Sequence, residues 1–179
     1  MTIPDHGRYD RLTIGLHWAT AALVLLLWIA AQVIDLFPRG QPRVYMRSVH
    51  IVLGVAFALV LAWRVAWRAT GGRRLAAERP MRWASRGVHL LLYALLVGEV
   101  LLGFGNVWMR GDWIFALFKV PAYAAADNDL RHMVESVHRW CGNLVLGVAG
   151  LHGLAALFHH HVLRDGVLTR MWPLRRRPV

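Results

Sequence analysis

Ten histidines stand out in this 179-residue chain, because five of them sit inside long apolar stretches. His17, His50, His89 and His138 each lie near the start of such a stretch, and His152 lies deeper in the last one. A polar group in hydrocarbon is costly, so an imidazole placed there is a functional candidate. His152 follows His138 by 14 residues, which is about 21 Å along a helix and, at about 100° per residue, nearly the same face. One helix thus presents two imidazoles on one side at two depths. His50 pairs with His138 at one depth, and His152 pairs with His17 or His89 at the other. Paired neutral imidazoles from facing helices form an axial cage for haem iron. His50 is followed at i+4 by Gly54, and His138 by Gly142. A glycine there leaves room for a flat macrocycle, although glycine also lets helices pack closely without any ligand. Zinc or copper is the competing use of histidine, but those ions take three or four close ligands, often with carboxylate or thiolate. The single cysteine, Cys141, has no thiol partner and excludes a disulfide framework.

The elements that must carry these side chains follow from composition. The chain is 57% hydrophobic and only 17% charged, where a soluble domain carries about a quarter charged residues. Four runs of roughly 20 apolar residues, the length that crosses a bilayer, occupy about 16–36, 49–67, 88–108 and 137–158. The first run exceeds a signal-peptide core and no clean cleavage site follows it, so it reads as a retained helix. The expected fold is all-α: an integral membrane four-helix bundle forming a single domain over 1–179, with two haems stacked across the membrane.

Charge orients the bundle. The net charge is +11. Arg68, Arg73, Arg74, Arg79, Arg82 and Arg86 oppose only Glu78 between runs two and three, and Arg164, Arg170, Arg175, Arg176 and Arg177 oppose Asp165 in the tail. By the positive-inside rule both termini and the middle loop are cytoplasmic. Clusters that flank helices without a nucleic-acid motif read as topology and anionic-lipid contact, with no nucleic acid as partner. The first outer loop breaks the rule, with Arg39, Arg43 and Arg47 against Asp35. That excess serves headgroup contact or a field that attracts a small anion.

At these residues the chain resembles the bacterial cytochrome b561 family. The resemblance runs through YDRLTIGLHW (Tyr9 to Trp18), RSVHIVLG around His50, HLLLY from His89, and the run of His138, His152, His159 and His160. The stretches LTRMWP and VPAYAAADN add to it. It implies two haem b groups in the bacterial inner membrane, with His17 and His152 ligating the inner iron and His50 and His138 the outer one. It leaves His89 as a packing or propionate-side residue, which spacing alone does not exclude as a ligand. Family members include a superoxide oxidase that reduces ubiquinone, and haem-bearing anchors that pass electrons for a partner dehydrogenase, hydrogenase or reductase. The expected activity is oxidation of superoxide outside and reduction of ubiquinone, with Arg39, Arg43 and Arg47 steering the anion. His159 keeps near the face of His152 and is the candidate at the quinone; Arg64 and Arg68 are candidates for inner propionates. Glu99 departs from the expected apolar pattern mid-span, where a carboxylate must be neutral or paired, either with a histidine or as a proton carrier.

Overall fold

The structure is a computed structural model that describes residues 9–71, 82–123 and 127–172. Four long helices dominate: α1 (Arg11–Ile34), α2 (Gln41–Thr70), α3 (Arg82–Arg110) and α4 (Asn128–Phe158). All four are long and apolar enough to cross a membrane. Each begins ahead of its apolar run, at Arg11, Gln41, Arg82 and Asn128, because polar first turns are helical without being hydrophobic. Asp10 caps α1, accepting the Thr13 N–H at 2.8 Å and the Thr13 hydroxyl at 2.6 Å. Asp127 caps α4 through the Leu130 N–H at 2.9 Å. These carboxylates satisfy donors that a helix start leaves unpaired.

Successive helices run antiparallel. α1 packs chiefly on α2 and α3 chiefly on α4, so two helical hairpins meet along a looser seam. The seam holds the core: Phe57 and Leu61 of α2, Leu96 of α3 and Val145 of α4 are buried, with Leu23, Val24 and Leu27 of α1 against them. Outward faces carry exposed apolar residues such as Leu59, Leu90, Leu101 and Leu151, the surface that lipid covers. Trp63, on α2 one turn from Leu59, is 57% exposed and belongs to that outer face. Two polar groups within the spans show how such side chains are paired. The Thr20 hydroxyl donates to the Leu16 carbonyl at 2.6 Å, and the Trp28 indole donates to Asn143 Oδ1 at 3.0 Å.

One end of the bundle is closed by a small antiparallel hairpin, β1 (Trp113–Ile114) and β2 (Phe118–Lys119). Its turn places Phe115 and Ala116 at positive φ, a conformation that side chains ordinarily avoid. Ser48, fully buried on α2, holds it: its hydroxyl accepts the Phe115 N–H at 2.8 Å and donates to the Val44 carbonyl at 2.8 Å. At the opposite end α4 widens into a π-helical turn, His159–Leu163, followed by a 3-10 turn, Leu168–Met171. The Trp18 indole donates to the Met171 carbonyl at 2.8 Å, which ties this terminal segment to α1. Among the charges read for topology, Asp5, Arg8, Arg73, Arg74, Glu78, Arg79, Arg175, Arg176 and Arg177 lie outside the described residues, as does part of the VPAYAAADN stretch.

Candidate functional site

The five in-span histidines gather into two clusters, one on each side of the apolar core. Towards the hairpin end, His50 of α2 faces His138 of α4 with ring centroids 6.3 Å apart and planes at 85°. Towards the terminal end, His17 of α1 faces His152 of α4 at 6.4 Å and 71°. A metal bound to one nitrogen of each ring at about 2 Å sets the two centroids roughly 6 Å apart. Both pairs therefore have the span that one axially held iron needs. His89 of α3 stands closer to His152, at 5.3 Å, and its Nδ1 donates to the Ser85 carbonyl at 2.6 Å. Among the described residues no group of three or more His, Cys, Asp or Glu side chains is arranged to hold a bare metal ion.

The two clusters differ in their neighbours. At the terminal end Arg64 of α2 donates to His17 Nδ1 at 3.1 Å and lies 5.4 Å from the Tyr93 ring centroid. At the hairpin end Glu99 of α3 brings Oε1 to 3.1 Å from His138 Nδ1. The His50 Nδ1 atom is buried without a hydrogen-bond partner. A Cβ built on Gly54 would meet nothing within 4 Å, whereas one on Gly142 would meet Glu99 Oε1 at 3.0 Å. The glycine following each ligand candidate by one turn thus borders open space at His50 and a carboxylate at His138.

Beyond the His50 pair, a cavity of about 250 Å³ opens at the hairpin end, lined in part by Arg47, Arg110, Asp112, Trp113, Lys119 and Arg131. Buried Asp112 links two of its cations, contacting Arg47 at 3.2 Å and Arg110 at 3.1 Å. Arg110 also reaches Glu135 at 3.6 Å, and the Arg131 Nε atom is buried without a partner. Of the three arginines singled out in the first loop, only Arg47 lines this cavity. Arg43 instead braces the loop, donating to the Phe37 carbonyl at 2.7 Å and pairing with Asp35 at 3.5 Å. Arg39 is exposed. Sequence reasoning missed Arg110, Lys119 and Arg131 as partners of Arg47. The usable signal was their position beside the ends of α3 and α4, where mixed charge concealed a convergence of cations.

At the terminal end His159 opens the π-helical turn, and its Nδ1 makes a short hydrogen bond with Asp165 Oδ2. Asp165 also accepts the Val167 N–H at 3.1 Å. Burial pushes its carboxyl up, but the bonds from His159 and Val167 and the charge of Arg170 outweigh that and hold it below the usual carboxylate range.

The comparisons with known proteins decide the family. The family model described as prokaryotic cytochrome b561 matches residues 8–174. The chain belongs to the prokaryotic cytochrome b561 family. It is 30% identical over 176 residues to a probable superoxide oxidase, CybB, of Yersinia pestis, covering 96% of this chain and 99% of that protein. It is 25% identical over 175 residues to cytochrome b561 homolog 1 of Escherichia coli K12, covering 95% and 99%. It is 27% identical over 173 residues to cytochrome b562 of Cereibacter sphaeroides, covering 91% and 94%. As a cytochrome b561 the chain is a multi-pass membrane electron-transfer protein, and the family implies haem b. The residues fit that group: paired imidazoles from facing helices stand at metal-bridging separation, and at the hairpin end the buried His50 Nδ1 has no hydrogen-bond partner.

Proposed function

We propose that this cytochrome b561 is a di-haem superoxide oxidase of the bacterial inner membrane that reduces ubiquinone. The single observation that carries the reading is the pair of facing imidazoles on each side of an apolar core. His50 and His138 would hold one haem b, and His17 and His152 the other. Bound haem supplies one-electron chemistry at each site. His89 keeps its Nδ1 on Ser85 and packs beside His152 as a non-ligand. Arg64, which no carboxylate pairs among the described residues, would serve a propionate of the haem at the terminal end.

The hairpin end faces outward on this reading, since Arg68, Arg86, Arg164 and Arg170 lie at or beyond helix ends on the terminal side. The cavity lined by Arg47, Arg110, Lys119 and Arg131 would concentrate a small anion by its field. Arg43 supports this by fixing the loop, and Arg39 contributes long-range attraction from the surface. Two superoxide anions become two dioxygen molecules and release two electrons; with two protons these convert one ubiquinone to the quinol. At the terminal end His159 is the proton donor to a quinone oxygen. Asp165 engages its Nδ1, which leaves Nε2 for that bond. The name of the Yersinia pestis relative supports the choice of superoxide.

The test supplies a steady superoxide flux to purified protein with a soluble ubiquinone analogue. Haem reduction followed by quinol formation is expected. Haem that stays oxidised under the flux, yet accepts electrons from dithionite, contradicts the reading.

A further inference from the structure

Glu99 lies mid-way along a membrane helix whose neighbouring residues are apolar. An ionisable side chain at that depth is expensive and calls for a partner. It lies against His138, with Oε1 at 3.1 Å from Nδ1 and both side chains mostly buried, and against the Cys141 thiol. The contact does not meet hydrogen-bond geometry, and His138 Nδ1 is buried without a hydrogen-bond partner; the other carboxylate oxygen, Glu99 Oε2, is also buried and unpaired. A small rotation of either group lets the Nδ1–H donate to Oε1, which relieves the unpaired donor. The space for the carboxylate comes from Gly142, one turn beyond His138, where a Cβ would meet Oε1 at 3.0 Å. Two helices thus supply matched features, an acid on α3 and a missing side chain on α4.

The rings of the two pairs are treated oppositely. His138 has a carboxylate at Nδ1, His17 has a guanidinium at Nδ1, and His50 Nδ1 has no partner. An acceptor on the far nitrogen of a metal-bound imidazole fixes the ring and raises ligand basicity. A more electron-rich ligand favours ferric over ferrous iron and lowers the potential, whereas a nearby cation favours the ferrous state.

We propose that Glu99 is a positioning residue for His138 that sets the hairpin-end haem at a lower potential than the terminal-end haem, so that transfer toward the terminal end is downhill. The inference rests on the reading of His50 and His138 as an axial pair.

Spectroelectrochemical titration of purified, haem-loaded protein tests it in wild type, Glu99→Leu, Glu99→Gln and Gly142→Ala. The wild type should titrate as two components. In Glu99→Leu the lower component should move upward and its low-spin ferric EPR signal should shift, with the other component unchanged. Glu99→Gln, which keeps the shape but is a weaker acceptor, should move the same component less. Gly142→Ala, which keeps the acid but displaces it, should move it in the same direction and guards against a Leu variant that fails to fold. Unchanged potentials in variants that retain both haems overturn the inference, as does an equal shift of both components. A His138→Ala variant that keeps its full haem content overturns the axial-pair reading itself, and the inference with it.

Discussion

His50 and His138 come from helices far apart in the sequence, yet their rings face each other at 6.3 Å and nearly at right angles. His17 and His152 repeat the relation at 6.4 Å on the other side of the buried residues Phe57, Leu61, Leu96 and Val145. Because His138 and His152 share one helix, α4 is the common rail of both pairs. The apolar layer between them fixes the two depths.

The basic cavity gives the first prediction. Arg47→Ala combined with Arg131→Ala should slow superoxide-driven haem reduction on the order of 10-fold at low salt. The difference from wild type should shrink as ionic strength rises, because exposed charges are screened. Stopped-flow reduction at two salt concentrations checks this. Arg39→Ala should have a much smaller effect, since that side chain is exposed and away from the cavity lining.

Ser48 holds the hairpin to α2 by accepting the Phe115 N–H at 2.8 Å and donating to the Trp113 carbonyl at 3.2 Å. Ser48→Ala should cost about 0.5–1.5 kcal/mol, because it removes the acceptor of the part-buried Phe115 N–H. Thermal unfolding followed by circular dichroism reads the loss. Amide exchange should rise first in the hairpin rather than in the helices.

Asp165 predicts a pH effect at the terminal end. Its carboxyl is held below the ordinary range, so the stabilisation it provides is complete above the unfolded carboxylate pKa and is lost as pH falls through the lower folded value. Acidification should therefore loosen the segment from the π-helical turn to the 3-10 turn. Asp165→Asn should remove most of that pH dependence. Hydrogen exchange of 159–171 across an acid series checks both statements.

Much of this arrangement was readable from residue types alone. Apolar runs announced the four helices, and the 14-residue interval between His138 and His152 put both on one face of α4. Glu99 was visible as an oddity because an acid interrupts a membrane span. Its contact with His138 was not, since the meeting depends on how α3 and α4 are rotated about their axes. The same holds for Arg47 and Asp112, which meet across 65 residues of sequence. Ser48 gave no signal, because its complete burial comes from a hairpin more than 60 residues away. The π-helical turn at His159 was hidden as well: it rests on local backbone register, which residue types do not report, and it lies just beyond the apolar run that ends near 158.

Haem quantification in single histidine variants tests the central claim most directly. Wild-type protein should carry two haems with a low-spin reduced-minus-oxidised spectrum. His50→Ala or His138→Ala should lose one, His17→Ala or His152→Ala should lose the spectrally distinct other, and His89→Ala should keep both. Wild-type protein that stays colourless when made with ample haem, or loss of the same haem from substitutions in both pairs, would contradict the account.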